Sequence, residues 1–312
     1  MVKHPPICGG IEDGIGGAFM VRWRGRRQSR NVEDRRGAAV AGGGGALLLL
    51  LRFIVGRFGI RGVFFLAIIG GGLYMAGINP VALVQGGQIS SRPAEPVDDD
   101  TSEFVRVVLA ETEDVWNGIF EASGSQYPAP TLVLFSSKVS SACGFASAAS
   151  GPFYCPADQK LYLDASFFKE LAERFGAPGD FAAAYVIAHE VGHHVQTVTG
   201  ISAQVRQAQQ RASQEESNAL QVRMELQADC YSGIWAQRAD RMSNFIEEEN
   251  GDIEEGLRAA AAIGDDTLQR NAGRQVTPES FTHGTSAQRV EWFTRGYQSG
   301  DVNQCDTFSA SL

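Results

Sequence analysis

Tyr185-Val186-Ile187-Ala188-His189-Glu190-Val191-Gly192-His193-His194 is the stretch on which the reading of this 312-residue chain turns. The residues before it, from Phe181 onward, are apolar or small, as a buried helix requires. On a helix, His189 and His193 stand one turn apart on one face. Both imidazoles can then reach a single ion, with Glu190 projecting beside them. H-E-x-x-H in this setting predicts a Zn²⁺ site, one ion per chain, with His189 and His193 as ligands and Glu190 as general base. A solvated helix carrying these residues by chance would not be preceded by Ala-Ala-Ala-Tyr-Val-Ile-Ala.

A third protein ligand is required, and it lies downstream. Glu225 and Asp229 are four apart in a segment with apolar residues at Leu220, Val222, Leu226, Tyr231, Ile234 and Trp235. Alone, such a pair reads as a solvated acidic face. Beside H-E-x-x-H it predicts Glu225 on the metal and Asp229 behind a ligand histidine, orienting its ring. His283 is either a catalytic donor to the oxyanion of the reaction or a capping or core residue. His194, adjacent to His193, points elsewhere.

Around this core the pattern gives a helix over 103–123 and strands over 131–135, 151–155 and 160–163. Helices follow over 166–175, 180–199, a polar Gln/Arg-rich stretch 203–214, 216–237, 252–271 and 286–298. A few strands followed by many helices is α+β: an active-site helix, a small sheet and a helical C-terminal half. Residues 145–153 or 131–135 are the candidate edge to which an extended substrate backbone would add.

The N-terminal third reads differently. Residues 1–61 hold eleven Lys/Arg against four Asp/Glu, and the remainder sixteen against thirty-two, so a basic head precedes an acidic body. Residues 62–84 carry no charge and are long enough for one transmembrane helix. Arginines before this span and Asp98 to Asp100 after it place the head in the cytoplasm and the body outside the cytoplasmic membrane. A head beside a bilayer serves topology, which excludes nucleic acid as its partner. Met20 resembles a natural start, leaving 1–19 as an extension. The expected organisation is a cytoplasmic region 1–61, a span 62–84, a linker 85–101 and a catalytic domain 102–308. Cys143, Cys155, Cys230 and Cys305 all follow the span, where an oxidising compartment allows two disulfides. Four cysteines allow three pairings. Cys143–Cys155 would close a short loop, and Cys230–Cys305 would pin the C-terminus to the Glu225 helix.

Five blocks, Arg22-Trp23-Arg24-Gly25-Arg26-Arg27 onward, 142–164, 175–196, 225–235 and 280–293, resemble in order the bacterial neutral zinc metallopeptidases, membrane-anchored zincins of the periplasmic side. The resemblance implies a zincin-like fold, His189 and His193 with Glu225 as zinc ligands, Glu190 as the catalytic residue, and protein or peptide substrates. The competing expectation is a zinc-bound but catalytically quiet membrane-anchored scaffold or assembly factor.

Overall fold

A computed structural model describes residues 21–36, 99–147, 150–246 and 251–311. Contacts divide the chain into two compact units, Met1–Glu33 with Asp98–Leu312, and Asp34–Val97. Of the second unit only Asp34 to Arg36 is described, where the Arg36 guanidinium pairs with the Asp34 carboxylate at 2.6 Å.

The first unit is α+β. In chain order its elements are β1 (Val32–Asp34), α1 (Asp100–Ala122), β2 (Thr131–Phe135), β3 (Lys138–Ser141), β4 (Gly144–Ser147), β5 (Phe153–Cys155) and β6 (Lys160–Asp164). The helices α2 (Phe167–Glu173), α3 (Asp180–Val198), α4 (Ile201–Gln209), α5 (Gln214–Ser243), α6 (Asp252–Ala262), α7 (Asp265–Asn271) and α8 (Ser286–Ser299) follow. The four-stranded sheet runs β1-β2-β6-β5, and β3-β4 is a separate hairpin. β2 and β6 are parallel, with Thr131 opposite Lys160; β5 returns antiparallel, with Phe153 opposite Tyr162.

Local chemistry sets the helix ends. Capping boxes open α5 (Ser213 with Glu216) and α8 (Thr285 with Gln288), satisfying backbone N–H groups that a helix start leaves unpaired. α3 starts differently. Gly179 at its N-cap offers no side chain, and Glu255 of α6 accepts from the Phe181 N–H at 3.2 Å instead. α3 is the core helix, buried along nearly its whole length. α5 and α8 cross at backbone contact: a Cβ at Gly233 would sit 2.1 Å from the Phe293 carbonyl oxygen, and one at Gly296 would sit 1.9 Å from that of Cys230.

Several expectations are corrected here. The stretch 252–271 is two helices, because Gly264 is extended and the Ser286 hydroxyl donates to the Ala261 carbonyl at 2.6 Å. The polar stretch expected among the helices is one, with shifted bounds, Ile201–Gln209. β2 lies between β1 and β6, so 131–135 is no edge; the terminal strands are β1 and β5.

The larger correction concerns the basic head. Val21 and Trp23 are buried in the core, and the Trp23 indole N–H donates to Asp180 at the start of α3 at 3.1 Å. Arg26 pairs with Glu111 and reaches the carbonyls of Ser243 and Asn244. Arg27 pairs with Glu113 and Asp114 of α1. Arg26 and Arg27, two of the arginines expected at a membrane flank, are thus counter-ions of the folded unit. The expected span 62–84 lies outside the described residues, and among those described no helix is long and apolar enough to cross a membrane. The expectation of a separate head over 1–61 is corrected to this extent: 21–33 belong to the same unit as 99–311.

Candidate metal centre

α3 and α5 pack closely because Gly192 meets Ala228: a Cβ on Gly192 would lie 3.0 Å from the Ala228 Cα. That approach brings the face carrying Glu225 and Asp229 against the face carrying His189 and His193. One ligand atom from each of His189, His193 and Glu225 lies within 4.8 Å of the other two. Glu225 Oε2 is 3.1 Å from His189 Nε2 and 3.4 Å from His193 Nε2.

The remaining atoms of these ligands are engaged elsewhere. His189 Nδ1–H donates to Asp229 Oδ1 at 2.8 Å, and His193 Nδ1–H donates to Gln196 Oε1 at 2.9 Å. Both rings therefore turn an Nε2 lone pair toward the common point. Gln221 donates to Glu225 Oε1 at 2.9 Å, leaving Oε2 to face the imidazoles. Two nitrogens and one carboxylate oxygen form the donor set of an open Zn²⁺ site, and these residues fit that ion.

The electrostatics agree. Burial opposes a charge on His189, but Asp229 and Glu225 outweigh it and raise the imidazole to about 9. Burial also opposes ionisation of Glu225, yet the two histidines hold its carboxyl well below the usual range. Two buried carboxylates thus stabilise positive charge at this point, whether protons or a cation carry it.

Asp229 is fully buried and anchored from several sides. Arg289 of α8 donates to it twice, and the Tyr185 hydroxyl donates at 2.6 Å. Against the penalty of burial, Arg289 and His189 pull its carboxyl down to about 2.

The centre opens into a cleft of about 570 Å³, which Glu190 and His283 also line. His283 is half exposed; its Nδ1 is 3.2 Å from Asp265 Oδ1, a bond that raises the imidazole pKa despite burial. Residues 150–154, entering the edge strand β5, form one wall. His194 bonds elsewhere: Nε2 donates to the Pro128 carbonyl at 2.6 Å, and Nδ1 meets the Tyr154 hydroxyl at 3.1 Å. Disulfides join Cys143 to Cys155 and Cys230 to Cys305.

A profile of the family described as "Putative neutral zinc metallopeptidase" matches residues 21–308. The chain belongs to this family. Similar proteins include "Uncharacterized protein YpfJ" of Escherichia coli (strain K12), 46% identical over 94% of this chain and all of the relative. An "Uncharacterized protein" of Mycobacterium bovis is 39% identical over 76% of this chain and 85% of its own length. No solved structure matches.

In this zinc metallopeptidase family member the sequence reading missed Arg289, Tyr185, Gln196 and Gln227. Arg289 had a signal: it falls in register with Trp292, Phe293 and Gly296, the buried positions of α8. A lone arginine on an apolar helix face implies a buried carboxylate partner. Tyr185 stands one turn before His189 on the ligand face.

Proposed function

We propose that this chain is a zinc-dependent endopeptidase of zincin-like construction that hydrolyses peptide bonds in proteins or peptides. The observation that carries the reading is the convergence of His189 Nε2, His193 Nε2 and Glu225 on one point in a cleft, with Glu190 lining the same cleft.

His189, His193 and Glu225 would hold the ion. Zinc bound there supplies Lewis acidity, lowering the pKa of a water and polarising the scissile carbonyl. Glu190 follows ligand His189 but makes no part of the ligand cluster, so its carboxylate is left to accept a proton from the attacking water and pass it to the leaving amine. His283, whose Nδ1 is bonded to Asp265, donates toward the carbonyl oxygen as charge develops. Asp229 fixes the His189 ring, and Arg289 and Tyr185 fix Asp229. The extended segment leading into β5 offers backbone groups to a substrate strand.

The folded unit carries two disulfides, which supports an extracytoplasmic location. We further propose that residues 62–84 associate with the cytoplasmic membrane, with the crossing paired rather than single.

The test is peptide hydrolysis and zinc content measured on one purified preparation. Glu190→Gln should keep about one zinc per chain while losing about 10²–10⁴-fold in rate. Full zinc with hydrolysis unchanged in Glu190→Gln would sink the mechanism. Zinc without hydrolysis in the wild type favours the scaffold reading.

A further inference from the structure

A file of buried amides runs from His193 to the C-terminal disulfide. His193 Nδ1 is 2.9 Å from Gln196 Oε1. Gln196 Nε2 donates to the Met224 carbonyl at 2.7 Å and to Gln227 Oε1 at 3.1 Å. Gln227 Nε2 donates to the Cys305 carbonyl at 2.9 Å. Both glutamines are buried, and Cys305, fully buried, is bonded to Cys230.

The direction of this file is fixed at its far end. A backbone carbonyl can only accept, so Gln227 must turn its NH₂ to Cys305 and its oxygen to Gln196. Gln196 must then turn its own NH₂ to Gln227 and Met224, and its oxygen to His193. His193 must in turn carry its proton on Nδ1, which is the tautomer that presents Nε2 to the metal. Cys305 is held in place by the disulfide and by its neighbours. Thr307 donates to the Arg223 carbonyl at 2.7 Å, and Arg223 donates to the Thr307 and Ala310 carbonyls. Releasing Cys305 from Cys230 frees the only covalent tie between this tail and α5 among the described residues.

We propose that Gln196 and Gln227 are positioning residues that couple the Cys230–Cys305 disulfide to the metal ligand His193, so that zinc retention depends on the redox state of that disulfide. The inference rests on the zinc reading of the site, and its test reads metal affinity rather than hydrolysis.

Zinc dissociation constants are measured on the full chain by chelator competition, oxidised and after reduction with a phosphine. Gln196→Leu should weaken zinc by about 10–100-fold, as loss of a ligand's hydrogen-bond partner does. Gln227→Leu should weaken it in the same direction by less. Reduction should weaken zinc in the wild type but add little in Gln227→Leu, because both break one file. Cys143→Ser/Cys155→Ser should hold zinc as the wild type does, and reduction should still weaken it. Where Cys230→Ser/Cys305→Ser folds, it should match the reduced wild type. Zinc affinity unmoved by reduction would overturn the coupling while leaving the zinc site standing. Full additivity of reduction and Gln227→Leu would do the same, since a merely structural role predicts independent losses. An oxidised wild type that binds no zinc overturns both readings.

Discussion

Arg289 grips Asp229 with two donors, Nε to Oδ2 at 2.8 Å and Nη2 to Oδ1 at 2.9 Å, in a place with almost no solvent. Asp229 Oδ1 is also the atom that accepts from His189. The orientation of one ligand ring therefore depends on a cation sixty positions downstream of Asp229, on the third helix after α5. Arg289→Met removes one partner of a buried pair and leaves Asp229 uncompensated. The expected loss is about 3–5 kcal/mol of stability, read as a fall in thermal midpoint. Zinc affinity should fall by about 10–100-fold in whatever fraction stays folded. A variant with unchanged midpoint and zinc affinity would show that Asp229 does not need Arg289.

His283 and Asp265 supply a second prediction, this time in rate. His283→Ala should lower kcat by about 10²–10³-fold with zinc content unchanged. Asp265 raises the His283 pKa, so Asp265→Asn lowers it and the cationic donor is lost at lower pH. The alkaline limb of the rate profile should move toward neutrality in Asp265→Asn. A limb that does not move would return His283 to the role of a capping residue.

Glu255 makes stability depend on pH. Burial, with Asp252 adding to it, raises its carboxyl to about 7 against the bonds it accepts from the start of α3. A carboxyl raised in the folded state binds its proton more tightly there than in the unfolded chain. Its contribution is full below about 4.5, the unfolded value, and is lost as pH rises through about 7. Glu255→Gln keeps an acceptor for the Phe181 N–H without the titration. Denaturant midpoints between these two pH values should fall with pH in the wild type and flatten in Glu255→Gln. Parallel slopes would count against this role.

Topology gives the last prediction. Accessible tags placed before Val21 and after residue 312 should be labelled from the same side of the cytoplasmic membrane, because 21–33 and 99–311 fold as one unit. On the proposed extracytoplasmic reading, that side is outside the cytoplasm. Labelling from opposite faces would mean that the N-terminal segment is not docked as the fold has it.

The parts of this molecule that were readable in the sequence are those fixed by short-range periodicity. H-E-x-x-H and the Glu225/Asp229 spacing name the faces that meet at the centre, and β2 and β6 are apolar runs between turn signals. What stayed hidden depends on distant pairing. Arg26 and Arg27 look like a membrane flank until α1 places Glu111 and Glu113 beside them. The edge position of β5 follows from strand order, which no single strand's composition encodes. Gln196 and Gln227 look like ordinary helix residues until Gln196 is buried against Gln227 and Gln227 against Cys305.

The docking of the N-terminal segment also orders events during synthesis. Arg26 bonds to Ser243, 217 positions later, so its partner does not yet exist when it leaves the ribosome. At about 5–20 residues per second the wait is roughly 10–40 s. Closing so long a loop is entropically costly and slow, and it comes after the helices have assembled locally. Among the described residues, the segment made first thus waits longest for its partner. Until then the start of α3, the helix that carries both histidines, lacks the indole of Trp23 against Asp180.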